Sequence, residues 1–287
     1  MIAARTGDLA WLQSLLQQEP RLLDKRLGGH TLLANAAAHG QLLAVCFLID
    51  SGANVNKSGV EGLGPLALAA AQGHVDCVEV LCAAGAIIDT PDHRGCTPLM
   101  WAATRGNTEC TKVLSSYGAS RELYGNSYGA PWEFYVERPI VRYDAERCAA
   151  SQGHRQLASW LARTRDWTPL HHVEQLSCAR TVALLRGGAE LHVGSVSPLD
   201  RARQSQGEVS ELILRAASWS PRSHELFPPE DRQYVVAMLR LGYQLAWSRG
   251  HWQQSAALVD VWQAYVLPQL VAHNRRGARR TFLQAET

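Results

Sequence analysis

The sequence has few of the signals that mark a membrane protein or a strongly charged binder. Charged residues make up only 19% of its 287 residues, and 28 basic against 26 acidic side chains leave a formal net charge of +2. This balance does not indicate a nucleic-acid partner. No run of 18 apolar residues is present, and residues 1–10 lack the basic and apolar zones of a signal peptide. Because apolar residues reach 46%, we expect a folded chain that does not insert into a membrane.

Cysteine patterns and catalytic motifs are also missing. The seven cysteines are an odd number at irregular spacing, and none follows Cys178, which is typical of reduced thiols and predicts a cytoplasmic or nuclear location. No CxxC or HExxH spacing indicates the four convergent ligands of a zinc site. The phosphate loop GxxxxGK[ST] and a GxGxxG turn after a strand are absent. We therefore predict no catalysis, no cofactor and no metal.

What the sequence does contain is a period of 33 residues. A glycine that follows a pair of small residues recurs at this spacing, at Gly7, Gly40, Gly73 and Gly106. The same spacing relates four leucines and three Gly-Ala pairs, at Leu15, Leu48, Leu81 and Leu114 and at Gly52, Gly85 and Gly118. Four copies in phase predict a stack of similar units.

One period predicts a pair of helices. Thr97 can cap a first helix with Pro98 in its first position, and Gly106 permits a tight reversal. The apolar positions from Cys110 onward then recur at helical spacing until Gly118 ends a second helix. Turn residues at 52–56 and 92–95 predict a hairpin between units.

This pattern resembles the ankyrin repeat, best at residues 95–106, 65–74 and 168–171. The resemblance implies an all-α solenoid of helix-turn-helix pairs joined by short hairpin loops, with a partner protein bound on its concave surface. Departures from the family pattern are Leu32-Leu33 after Thr31, Gly64 in place of Thr, and Met100 in place of His.

The phase breaks after Ser120, because Gly153 follows Gly106 by 47 residues. Residues 149–161 restore the register, and further units are predicted at 168–189 and 197–214. We therefore expect residues 1–217 to form an array of about six repeats, irregular at 121–167, and residues 218–287 to form a helical C-terminal cap with a frayed tail. Since Met1 lies two residues before the first alanine pair, we expect the first repeat to be incomplete.

The resemblance also implies which residues face a partner. By position in the repeat, these are His30, His39, Val60, Glu61, Leu63, Gln72, His93, Arg94, Thr104 and Arg105. The aromatic-rich segment 124–143, with Trp132 and Tyr135, is either a recognition loop or a cover that seals a mismatch in packing. In a recognition loop, Arg138 and Arg142, on either side of Pro139, would be rim residues. We predict a monomer with a protein partner of unknown identity.

Two interpretations of the C-terminal region stay open. It caps the array, or it gives a substrate receptor or adaptor of a ubiquitin-ligase-type complex its second binding surface, as in several ankyrin-repeat proteins. The absence of cysteine after Cys178 disfavours a suppressor-of-cytokine-signalling type of box, and residues 226–229 are only weakly F-box-like. The basic cluster at 275–280 is either a nuclear-import or phosphate-contacting patch or a solvated tail. Capping and a solvated tail are favoured.

Overall fold

The computed structural model describes residues 2–123, 125–126, 142–217, 223–233 and 235–237. The chain divides into two compact units, Met1–Pro169 and Leu170–Thr287. Helices dominate both units, which confirms the predicted all-α class. The strands in the described residues are β1 (Gly125–Asn126) and β2 (Arg142–Tyr143), which pair antiparallel within the irregular segment of the first unit.

The first unit is built from helix pairs. They are α1 (Ile2–Thr6) with α2 (Leu9–Gln18), α3 (Leu32–Ala38) with α4 (Leu42–Asp50), α5 (Pro65–Gln72) with α6 (Val75–Ala83), α7 (Pro98–Arg105) with α8 (Thr108–Ser116), and α9 (Ala145–Ser151) with α10 (Arg155–Arg163). The first helices of the pairs pack side by side in chain order, from α1 through α3, α5 and α7 to α9, and the second helices α2, α4, α6 and α8 form a parallel layer.

The repeated residues perform the predicted local tasks. The Thr97 hydroxyl accepts a hydrogen bond from the Met100 N–H and caps α7, and Thr31 caps α3 in the same way. Gly106 ends α7 with φ of 74°, in the left-handed region that favours glycine. The alanine pairs of α3, α5 and α7 have no solvent exposure, so the neighbouring first helices can approach closely. Each alanine pair thus lies at the contact between its own helix and the first helix of a neighbouring repeat.

The residue after the glycine of each helix pair bonds its repeat to the preceding repeat. These glycines are Gly40, Gly73, Gly106 and Gly153. The bonds run from Gln41 Nε2 to Arg5 O at 3.0 Å, between His74 Nε2 and Ala38 O at 3.2 Å, from Asn107 Nδ2 to Ala71 O at 2.9 Å, and between His154 Nε2 and Thr104 O at 3.2 Å. The four carbonyls are spaced by 33 residues, although His154 follows Asn107 by 47. Helices α9 and α10 therefore stack as the next repeat despite the longer connection.

The second unit has its own core, formed by Leu170, Leu185, Leu191, Leu199 and Ile213 among others. Its helices are α11 (Cys178–Arg186), α12 (Pro198–Gln204) and α13 (Glu208–Ala216), and residues 229–233 and 235–237 are also helical. The repeat predicted at 168–189 begins with a 3-10 turn, Pro169–His171, in place of a first α-helix. The array boundary at 217 and the cap at 218–287 stay predictions, because most of that cap lies outside the described residues.

Candidate partner-binding surface

The ends of the first helices place one exposed side chain per repeat on the same side. Residues 98–103 of α7 are buried, whereas Arg105 at its end is exposed. His39 and Gln72 hold the equivalent positions in the two preceding repeats and are exposed as well. These three residues form a row that follows the direction in which the helices stack.

Arg5 extends this row in the first repeat. The guanidinium Nε of Arg5 lies 3.1 Å from His39 Nε2, and His39 Nδ1 lies 2.9 Å from the Asn35 carbonyl. Because a guanidinium can only donate, Nε2 accepts, so Nδ1 carries the hydrogen and donates to Asn35 O. The imidazole therefore bridges Asn35 and Arg5 and holds the Arg5 side chain beside the row.

The hairpins between repeats supply a second set of exposed residues. The Val60 N–H donates to the Gly29 carbonyl and the His93 N–H donates to the Glu61 carbonyl, both at 2.8 Å, so adjacent hairpins are joined through their main chains. Val60 is 54% exposed, and Glu61, His93 and Arg94 are exposed too. Glu61 has φ of 61°, a conformation that is uncommon for residues other than glycine.

A buried carboxylate fixes the third of these hairpins. Asp92 Oδ1 accepts hydrogen bonds from the N–H groups of Arg94 and Cys96 at 2.9 and 2.8 Å, and Oδ2 accepts from the indole Nε1–H of Trp101 at 3.1 Å. Trp101 belongs to α7, so Asp92 ties the hairpin to the helix behind it. The backbone that carries His93 and Arg94 is therefore set before any partner arrives, which reduces the entropy lost on binding.

We call the exposed side chains of these helix ends and hairpins the tip face. Its members are Arg5, His39, Val60, Glu61, Gln72, His93, Arg94 and Arg105. Except for Arg5, which is one residue out of register, they occupy equivalent positions of successive repeats. The other first-helix positions of this scaffold are mostly buried.

Comparison with protein families agrees with this architecture. The family model for ankyrin repeats matches residues 1–92 and 43–124, with three copies. Residues 1–124 carry ankyrin repeats. No curated protein matches the sequence. Ankyrin repeats are generally modules for protein–protein interaction and are generally not enzymes. The tip face of the ankyrin array is therefore the candidate surface for a protein partner.

Three of the predicted binding residues are less exposed than their position in the ankyrin repeat suggested. His30, Leu63 and Thr104 are half-buried. Leu63 packs against the core, and the Thr104 hydroxyl donates to the Met100 carbonyl at 2.7 Å. These contacts leave less of each side chain for a partner, so their role in binding stays a prediction. Trp132 and Tyr135 lie outside the described residues.

A cluster that no sequence pattern indicates lies where the ankyrin period breaks. The guanidinium of Arg121 donates to the carbonyl and hydroxyl oxygens of Thr164 and lies 5.0 Å from the ring centroid of Trp160. The ring of Trp167 meets Trp160 edge to face, with centroids 6.3 Å apart. Burial lowers the pKa of Arg121 to about 10, so it remains charged at neutral pH. These contacts connect the end of the third 33-residue period to α10.

Three buried cysteines of the array are poorly suited to nucleophilic chemistry. Burial raises the pKa of the Cys77 and Cys110 thiols to about 11 and that of Cys96 to about 12. These thiols are therefore uncharged at neutral pH and poor nucleophiles. Within the described ranges, no group of three or more His, Cys, Asp or Glu side chains could hold a metal ion, and no helix is long and apolar enough to cross a membrane.

Proposed function

We propose that this chain is a non-catalytic binding module that holds a partner protein on the tip face. One observation carries the proposal: exposed polar and charged side chains recur at equivalent positions of successive repeats, while the small and apolar residues between them are buried. A repeat array needs the buried positions for its own stability. The exposed row is under no such structural demand and is available for recognition.

The geometry of the hairpins supports this proposal. Main-chain bonds between adjacent hairpins and the hydrogen bonds to Asp92 hold the tip residues in a defined arrangement. Val60 adds an exposed apolar side chain beside the charged Glu61 and Arg94. Interfaces commonly combine an apolar contact with surrounding polar groups, and a rigid surface binds with a smaller entropic cost than a flexible one.

A position-specific photo-cross-linker tests the proposal. A benzophenone side chain is placed at residue 72 on the tip face or, as the matched control, at residue 79 on the second helix α6 of the same repeat. Gln72 and Glu79 are both exposed. In extracts of the source cells, we expect a discrete protein adduct from residue 72 and none from residue 79. Equal labelling from both positions, or no adduct from residue 72, would contradict the proposal.

The adaptor function is a second proposal, and the structure offers it less support. Leu226 and Phe227, the weakly F-box-like residues, are only 6% and 2% exposed. Buried side chains are available to pack within their own unit and not to dock another subunit, which favours the capping role. A pull-down that compares residues 1–217 with the whole chain tests the alternative. Ligase subunits that are recovered only with the whole chain would support it. The cytoplasmic or nuclear location and the monomeric state stay predictions.

A further inference from the structure

A cleft of about 520 Å³ lies between the second helices of the first two helix pairs. Helices α2 and α4 and the 3-10 turn Pro20–Leu22 supply its walls, which are Gln13, Leu16, Gln17, Pro20, Leu23, Phe47 and Ser51. Four of these seven residues are apolar, and none is charged. The Ser51 hydroxyl already donates to the Phe47 carbonyl at 2.7 Å. The cleft therefore suits an apolar side chain.

An exposed apolar side chain lies beside this cleft. Leu43 of α4 is 69% exposed, more than any other large apolar residue that the structure describes. It precedes Phe47 by four residues, so the two lie on the same side of the helix, about 6 Å apart along its axis. A projecting leucine and a cleft that could receive one are thus neighbours. We call Leu43 and the seven cleft residues the outer face.

The apolar character of the outer face is not a requirement of the repeat. Leu43 and Cys46 of α4 stand at positions where the next two second helices carry charge. At the 33-residue spacing, the equivalents of Leu43 are Asp76 and Glu109, and those of Cys46 are Glu79 and Lys112. A single exposed leucine needs no explanation. Here, however, two charged positions have become apolar beside an uncharged cleft, which indicates a surface for contact.

We propose that two copies of this chain associate through their outer faces, with Leu43 of each copy in the cleft of the other. Such a contact has two-fold symmetry and closes at two copies. When a surface meets a second copy of itself, like charges come close together, which costs binding energy. The outer face contains no charge, and Glu19 and Arg21 at its edge have opposite signs. The proposal concerns a different surface from the tip face and does not depend on the proposed function.

The size of the outer face predicts a weak dimer. Helices α2 and α4 have 10 and 9 residues, so they are about 14–15 Å long, and side by side they are about 20 Å wide. The face covers roughly 300 Å², whereas a stable complex buries about 800 Å² on each partner. The dimer should therefore dissociate on dilution. The monomer predicted from the sequence then applies to dilute protein and fails at high concentration.

Sedimentation equilibrium of the full chain tests the proposal at concentrations from about 10 μM to about 1 mM, which cover weak affinities. We expect the average mass to rise with concentration toward that of a dimer and no further. High salt should not weaken the association, because no charges are paired across the contact. A monomer at every concentration, growth beyond the dimer, or dissociation by salt would overturn the inference.

Substitution of the projecting leucine locates the contact. Leu43→Glu places a carboxylate where the partner offers only apolar and neutral groups, so we expect dimerisation to weaken by at least about tenfold. The matched control is Ile87→Glu, because Ile87 is 59% exposed and lies outside the outer face. The control should change the dissociation constant less than about twofold. Circular dichroism checks that both variants are folded. Equal effects of the two substitutions would refute an outer-face contact.

A mixture of two variants tests whether Leu43 enters the cleft of the other copy. Leu43→Lys puts an ammonium group on the projecting side chain, and Gln17→Glu puts a carboxylate on the cleft wall. Each variant alone should dimerise more weakly than the wild type. Mixed together, they should form a heterodimer, because the lysine of one copy meets the glutamate of the other. If the mixture associates no better than either variant alone, Leu43 does not occupy the cleft and the inference is wrong.

Discussion

Replacing Gly106 by alanine tests the bond by which the fourth full repeat is fastened to the third. A Cβ atom at residue 106 would lie 2.5 Å from Cε1 and 2.6 Å from Nδ1 of His154. The imidazole must therefore move, and its bond to the Thr104 carbonyl at 3.2 Å is lost. Gly85 is the matched control. It has a similar φ of 86°, against 74° at Gly106, but a Cβ there would meet nothing within 4 Å.

The two substitutions share one cost and differ in another. Left-handed backbone costs a residue with a Cβ about 1–2 kcal/mol, and the less flexible unfolded chain offsets about 0.4–1 kcal/mol of it. We therefore expect Gly85→Ala to lower the free energy of unfolding by about 1 kcal/mol. Gly106→Ala adds the lost hydrogen bond and the displaced ring, about 1–2 kcal/mol, for a total of about 2–3 kcal/mol.

Urea unfolding of the full chain, followed by circular dichroism and tryptophan fluorescence, measures the difference. A double-mutant cycle isolates its cause. In a His154→Ala background the clash is absent, so Gly106→Ala should cost about 1 kcal/mol, as Gly85→Ala does. Equal losses for the two glycines in the wild-type background, or an excess at residue 106 that persists without His154, would refute the reasoning.

Three other predictions follow from described contacts. Asp92→Ala removes two buried carboxylate oxygens that accept three hydrogen bonds and should lower the free energy of unfolding by about 2–4 kcal/mol. The isosteric Asp92→Asn should lose less, and equal losses in denaturant titrations would contradict this. Gly64 caps α5 without a side chain, at an ordinary φ of −86° and with open space for a Cβ, so Gly64→Thr should raise the free energy of unfolding by about 0.5–1 kcal/mol, and no increase in the urea midpoint would argue against it. Because burial raises the pKa of Cys77 and Cys96 to about 11 and 12, iodoacetamide at pH 8 should label the half-buried Cys46 before either of them. Peptide mass spectrometry checks the order, and labelling of Cys77 before Cys46 would overturn it.

Most helices of the ankyrin array could be predicted from the sequence because each repeat is specified locally. The threonine cap, the alanine pair and the glycine lie within one short segment, and each has a requirement that few other residues meet. Thr168-Pro169-Leu170 matches the start of this pattern, yet only a 3-10 turn forms there. Val173 and Glu174 stand where the other repeats have the alanine pair, so the close approach of a neighbouring helix is not available.

The rest of the candidate surface depends on contacts between residues far apart in the chain. Arg121 and Trp160 meet across the irregular segment, and no period predicts such a pair. The carboxylate of Asp92 finds the indole of Trp101, although residues 92–95 suggested only a turn. Exposure of the helix ends followed from repeat position, but the partial burial of Leu63 and Thr104 depends on how the neighbouring residues pack.

The bonds from Gln41, His74, Asn107 and His154 all point toward the preceding repeat, which gives the stack a polarity. Removing a repeat from the C-terminal side exposes a main-chain carbonyl, to which water can donate a hydrogen bond. Removing one from the N-terminal side leaves an imidazole or amide side chain without the carbonyl that it contacted. Truncation or fusion should therefore have different consequences at the two ends of the array.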